Sequence, residues 1–202
     1  MKVPVESPPL DEQELIAEAR RGRESAYEEL LRPYEELAFR AAYLVLHDAG
    51  EAEDVAQQAL VKAYYALGRF KVGSPFRPWL VRIVTNEARN SRKAILRRSN
   101  LAQRYAQGLI EGDTAPSPES AALGEERSRR LLEALSRLKD KDQAVLHQRY
   151  FLELSEAEMA QALGCRPGTV KSRLSRALQR LKEIIDHHYP GLFNPIEEAE
   201  GR

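Results

Sequence analysis

Residues 166–182, RPGTVKSRLSRALQRLK, hold six basic side chains and no acidic one. Guanidinium and ammonium groups so spaced make and break no bonds. They hydrogen-bond phosphate oxygens, and an arginine can meet the O6 and N7 edge of guanine with two donors. Val170, Leu174, Ala177, Leu178 and Leu181 recur at three- and four-residue steps. A helix would gather them on one stripe and leave Thr169, Ser172, Arg173, Arg176 and Arg180 on another face, with Lys171 beside it. Upstream, Ser155 and Glu158 have the spacing of a capping box, Gly164 suits the left-handed residue that stops a helix, and Pro167 suits a first helical position, where its missing N–H costs nothing. Helix, tight turn, helix is the arrangement that presents a second helix to the DNA major groove. The same pattern also describes a solvated amphipathic helix without a specific ligand; the turn, the cap and the missing acidic counter-charges favour DNA.

A second basic segment lies at residues 75–98, PFRPWLVRIVTNEARNSRKAILRR, where residues 77–98 hold seven basic residues against one acidic. Leu80, Ile83, Val84 and Ala88 can face inward, which leaves Arg82, Asn86, Arg89, Asn90, Arg92 and Lys93 over exposed or partly exposed faces. Phe70, Phe76 and Trp79 adjoin it. Cations interleaved with aromatics and asparagines suit unpaired DNA, whose bases stack on rings while the backbone follows the charge. Burial of the three rings in a core is the competing reading, favoured for Trp79 and evenly balanced for Phe76.

The elements that must position these groups read as helices throughout, with almost no strand alternation, so the fold class is all-α. Ser25 and Glu28 have capping-box spacing before a helical pattern carrying Tyr27, Leu30, Leu31, Tyr34, Ala38, Ala41 and Val45, which Pro33 should bend or interrupt. A further helix is expected over residues 51–67, with Val55, Ala59, Leu60 and Ala63 inward. Its outer face carries Asp54, Gln57, Gln58, Val61 and Tyr65, a mixed strip that suits a protein partner, although scattered exposed apolar residues are ordinary. GRFKVGSPFRPW reads as a loop, and Trp79 is expected to open the next helix through Arg98.

Periodicity fades after Arg98, and GDTAPSPES is polar and proline-containing. The expected organisation is therefore two small helical domains, residues 10–98 and 119–188, joined by a flexible linker at 99–118 and followed by a tail at 189–202, the C-terminal domain being the helix-turn-helix. A fully extended 20-residue tether would reach roughly 65 Å at about 3.3 Å per residue, comparable to two turns of duplex DNA at roughly 34 Å each.

The total of 31 basic and 31 acidic residues conceals this segregation: residues 111–126 hold five acidic residues and no basic one. The single cysteine, Cys165, excludes an internal disulfide framework. MKVPVESPPLDEQE offers no apolar run of signal-peptide length, and no later stretch has the apolar length of a bilayer span, so the expected location is the cytoplasm without membrane insertion. His47, His147, His187 and His188 lack metal-ligand spacing, and no phosphate-cradling glycine loop is present. No catalytic residue, metal or cofactor is expected. A self-sufficient DNA-binding regulator using only the helix-turn-helix is the alternative to a protein that uses both halves.

Three strings, EAEDVAQQALVKAYYALGRF, PFRPWLVRIVTNEARNSRK and LSEAEMAQALGCRPGTVKSRLSRALQRLK, in that order and spacing, resemble bacterial RNA polymerase sigma factors of the extracytoplasmic-function (ECF) type, over roughly residues 15–98 and 129–185. The resemblance implies that residues 10–98 form sigma region 2, holding core RNA polymerase through Asp54, Gln57, Gln58, Val61 and Tyr65. It implies that the same domain recognises and melts the −10 element through Phe70, Lys71, Ser74, Phe76, Asn86, Arg89, Asn90 and Lys93, with the loop at 70–76 taking a base turned out of the duplex. Residues 119–188 would be region 4, reading the −35 element through Arg166, Thr169, Lys171, Ser172, Arg173 and Arg176. An anti-sigma factor is a further partner that the resemblance implies. The extra N-terminal and central regions of housekeeping sigma factors are absent from the sequence, which leaves the acidic linker to connect the two halves.

Overall fold

The structure is a computed structural model, and it describes residues 11–105 and 124–192. Every regular element among the described residues is helical. The chain divides into two compact units; among the described residues the N-terminal one is built from five α-helices and the C-terminal one around four.

The first unit starts with α1 (Glu12–Arg20), closed by a capping box the sequence reading missed: Glu14 N donates to Asp11 Oδ1 at 2.8 Å and Asp11 N to Glu14 Oε2 at 3.1 Å. α2 (Glu24–Leu31) starts differently from the Ser25 box expected. Gly22 at φ +91 turns the chain, Arg23 is the extended residue before the helix with no side-chain cap, and Ser25 already lies inside. Pro33 interrupts the pattern as expected, within a 3-10 turn at Arg32–Tyr34, and α3 (Glu35–Leu46) follows. α4 (Ala49–Ala66) is capped by Asp48, whose Oδ1 accepts from Glu51 N at 2.9 Å. Its inner side is nearly all alanine: Ala52, Ala59 and Ala63 are fully buried, with Ala56 and Val55 beside them. Small side chains on that line allow close helix packing.

α5 (Phe76–Tyr105) begins three residues earlier than Trp79. Pro75 and Pro78 read as loop signals in sequence, but Pro75 lies just outside the helix and Pro78 in its first turn, where backbone N–H groups have no intrahelical acceptor. The helix also continues past Arg98, so residues 99–105 of the expected linker rise about 1.5 Å each instead of about 3.3 Å. The rest of that linker, 106–118, and the expected helical resumption at Glu119 lie outside the described residues.

The second unit contains α6 (Gly124–Ser136), α7 (Asp140–Leu146), a π-turn at His147–Phe151, α8 (Glu156–Leu163) and α9 (Pro167–His188). Ser155 and Glu158 form the expected box, with Glu158 N to Ser155 Oγ at 3.3 Å and Ser155 N to Glu158 Oε2 at 2.9 Å. Gly164 takes φ +63, and Pro167 opens α9. On α9, Val170 and Ala177 are buried and Leu174 and Leu181 half-buried, but Leu178 is exposed. Ile185 and Leu192 pack with Ala134, with Tyr189 against them, so Tyr189 and Leu192 of the expected tail join this core. Residues 193–202 lie outside the described residues.

Candidate nucleic-acid interface

Three exposed faces gather the candidate residues. The first is the N-terminal half of α9, where Arg166, Lys171, Ser172, Arg173 and Arg176 are exposed and Thr169 half-buried. From Thr169 to Arg176 the helix advances about 10 Å, roughly three base steps of about 3.4 Å. Arg176 lies back along its own helix, Nε donating to Ser172 O at 3.0 Å and Nη2 to Ser172 Oγ at 3.2 Å, while Ser172 Oγ donates to Thr169 O at 3.1 Å. This keeps Arg176 ordered along the face that carries Arg173. Arg180 departs from the sequence reading. Its Nη1 donates to both Oδ1 and Oδ2 of Asp142, each at 2.9 Å, and Asp142 on α7 is buried. A buried carboxylate requires a paired cation, so Arg180 belongs to the packing of α7 on α9 and the exposed basic strip ends at Arg176.

The second face lies on α5 and the loop before it. Asn86, Asn90 and Lys93 are exposed and Arg89 half-buried, at the i, i+4, i+7 and i+3 positions of one helix face. Lys71 is exposed and Ser74 half-buried in the loop. Phe76 is fully buried and Phe70 nearly so, which favours the core reading left evenly balanced for Phe76 and corrects the direct base contact that the resemblance implies for both rings. Their ring centroids stand 5.9 Å apart, Phe70 meets Trp79 edge-on at 5.1 Å, and Phe76 meets Trp79 at 5.3 Å and Tyr34 at 5.4 Å. Such tilted clusters gain from both area burial and ring electrostatics. The three aromatics are therefore the footing of the loop, with Trp79 half-buried, and the side chains the loop presents are those of Lys71, Val72 and Ser74.

The third face is the outer side of α4. Asp54, Gln57, Gln58, Val61 and Tyr65 are all exposed, Val61 at 56% and Tyr65 at 80%. Sequence reasoning missed its neighbour: Val61 and Tyr65 border a cleft of about 260 Å³ whose other wall is Glu24, Tyr27, Glu28 and Leu31 on α2. The Tyr27 hydroxyl donates to Leu60 O at 2.6 Å, and burial, with the neighbouring Tyr64, pushes its phenol well above the usual range, so it stays a donor. The signal for α2 was indirect, since only the fold brings residues 24–31 beside residues 60–65.

No group of histidine, cysteine and carboxylate side chains among the described residues could hold a metal, and no described helix is long and apolar enough to cross a membrane.

Comparison with known proteins matches residues 30–98 to Sigma-70 region 2 and residues 128–181 to Sigma-70, region 4. The RNA polymerase sigma-H factor of Pseudomonas aeruginosa is 35% identical over 181 residues, covering 86% of this chain and 93% of that protein. The ECF RNA polymerase sigma-E factor of Escherichia coli is 31% identical over 186 residues, covering 88% and 94%. Among solved structures, the sigma factor RpoE in complex with the anti-sigma factor NepR from Bartonella quintana aligns with a TM-score of 0.56 at 25% identity, over 80% of this chain and 98% of that one. CnrH in complex with the cytosolic domain of CnrY shares the fold, with a TM-score of 0.63 at 23% identity over 87% and 97%. Two sigma regions in order, and relatives of this identity along nearly the whole chain, establish that the protein belongs to the ECF sigma factors, non-enzymatic subunits that direct promoter-specific transcription initiation by RNA polymerase.

Proposed function

We propose a division of labour between the two units. Residues 119–188 read the −35 element as duplex, through Arg166, Thr169, Lys171, Ser172, Arg173 and Arg176. Residues 10–98 take the −10 element as its strands part: Lys71 and Ser74 of the loop meet the unpaired base, and Asn86, Arg89, Asn90 and Lys93 follow the strand. Phe70 and Phe76 serve this step from beneath, as the packed support of the loop. Asp54, Gln57, Gln58, Val61 and Tyr65 dock on core polymerase.

The observation that carries this reading is the unbroken, exposed basic strip on the first half of α9, set directly after a glycine-terminated helix. Each good bidentate contact there supplies roughly 1–3 kcal/mol of base discrimination. At the other element, unstacking a base costs a few kcal/mol, so a loop that binds only the displaced base helps drive melting. The site of action is the cytoplasm, where polymerase works. An anti-sigma factor is the regulatory partner; a sigma factor of this fold captured with NepR supports that reading.

Run-off transcription with purified core polymerase on a randomised promoter library tests the function. The expected result is transcripts from a subset sharing two spaced elements. Absence of transcripts, together with tight duplex binding by the chain alone, would favour a polymerase-independent regulator. Co-purification from the native cell tests the anti-sigma partner, and recovery of the chain only free or with polymerase would count against it.

A further inference from the structure

The turn that carries Lys71, Val72 and Ser74 is held from outside by a helix that precedes it by sixty residues. Ser74 N donates to Lys71 O at 3.1 Å, closing a four-residue turn whose third residue, Gly73, has φ +80, as a type II turn requires. In such a turn the N–H of the third residue has no acceptor within the turn. Here it donates to Gln13 Oε1 on α1 at 3.0 Å. α1 grips the segment at its other end too, where Arg20 Nη2 donates to Gly68 O at 3.3 Å in the 3-10 turn Leu67–Arg69. Glu12 accepts from the hydroxyl of Tyr34, whose ring packs on Phe76. Leu15, Ile16 and Ala19 are buried and anchor the helix that makes these ties. Val72, at the tip of the turn, is 57% exposed.

We propose that Gln13 is a positioning residue for promoter opening: by holding the backbone at Gly73 it keeps the tip in the shape that meets unpaired −10 DNA. The inference rests on the assignment of the loop to −10 capture. A braced tip loses little freedom when a base docks, whereas a loose one must be ordered at the moment of binding. Because the Gln13 bond is solvent-exposed, water replaces it when it is removed, and its loss acts on the freedom of the loop more than on the stability of the fold.

The test uses full-chain protein reconstituted with core polymerase. The probe is a fluorescent non-template −10 strand from a promoter selected by run-off out of a randomised library. Gln13→Met, which keeps shape and helix propensity but lacks the oxygen, is expected to bind this strand about three- to ten-fold more weakly. Gln13→Glu, which retains an accepting oxygen, is expected to recover most of the affinity at a salt concentration that screens its added charge. The thermal midpoint stays at the wild-type value, and the Met variant's deficit in run-off from duplex narrows on a pre-melted template, where strand capture no longer has to drive opening. Wild-type affinity in Gln13→Met, equal losses in both variants, or a loss that tracks a lowered thermal midpoint would overturn the proposal. A wild-type holoenzyme that does not distinguish the −10 strand from a scrambled one would overturn the loop assignment itself, and this inference with it.

Discussion

The two regions proposed to face DNA are built in opposite ways. On α9, one helix carries both jobs on opposite sides: Val170 and Ala177 are buried and fix its angle, and Arg173 is exposed. In the first unit the jobs are split between neighbours, since the rings next to the loop are buried and the groups it presents are a lysine, a valine and a serine. The difference teaches that residue type alone misplaces function where a loop rests on an aromatic base. A recognition helix can change its outer residues without repacking, whereas the loop cannot lose Phe70 or Phe76 without losing its shape.

This contrast can be broken by mutation. The largest expected effect is Phe76→Ala, a loss of about 3–5 kcal/mol of stability in the first unit from a fully buried ring, measured by denaturant unfolding. An unchanged stability with a specific −10 defect would restore Phe76 as a base contact. Next come two arginines on the same helix. Arg180→Ala should destabilise the second unit by about 1.5–3 kcal/mol, because it strands the buried Asp142 carboxylate. Arg173→Ala should leave stability within about 0.5 kcal/mol and weaken −35 discrimination by about 1–3 kcal/mol, read by run-off on promoter variants. If the two variants behave alike, the separation of faces on α9 fails.

The smallest effect concerns pH. His47 is exposed at the surface, yet partial desolvation of its ring, followed by the charge of Arg92, holds it below the ordinary imidazole value. The folded state therefore binds fewer protons than the unfolded one, and stability falls as pH drops through about 6.5 toward the lower folded value. His47→Asn, which tolerates the left-handed backbone at φ 57, should flatten that acid-side loss in a thermal series from pH 7.5 to about pH 5.

Much of this was legible in local sequence because the physics there is local. The box at Ser155, the stop at Gly164 and the start at Pro167 each depend on residues within one turn, and the outer strip of α4 follows from helical spacing alone. The errors arose where a local signal has two meanings. A proline breaks a helix interior yet fits a first turn, so the sequence places the start of α5 at Trp79, three residues late; a serine three residues before a glutamate caps a helix only where the backbone is extended, and at Ser25 it is not. Arg180 and Gln13 escaped because their partners, Asp142 and Gly73, lie 38 and 60 residues away. A basic or polar side chain does not announce which distant group it will meet.

The row of fully buried alanines along α4 has a consequence for partner choice. Because Ala52, Ala59 and Ala63 are fully buried, their small size sets how closely α4 seats on its neighbours, and exchanges on the exposed strip from Asp54 to Tyr65 leave that seat untouched. If the proposed docking role of that strip holds, its specificity can be rewritten there without repacking, as lettering is changed on a sign whose post does not move.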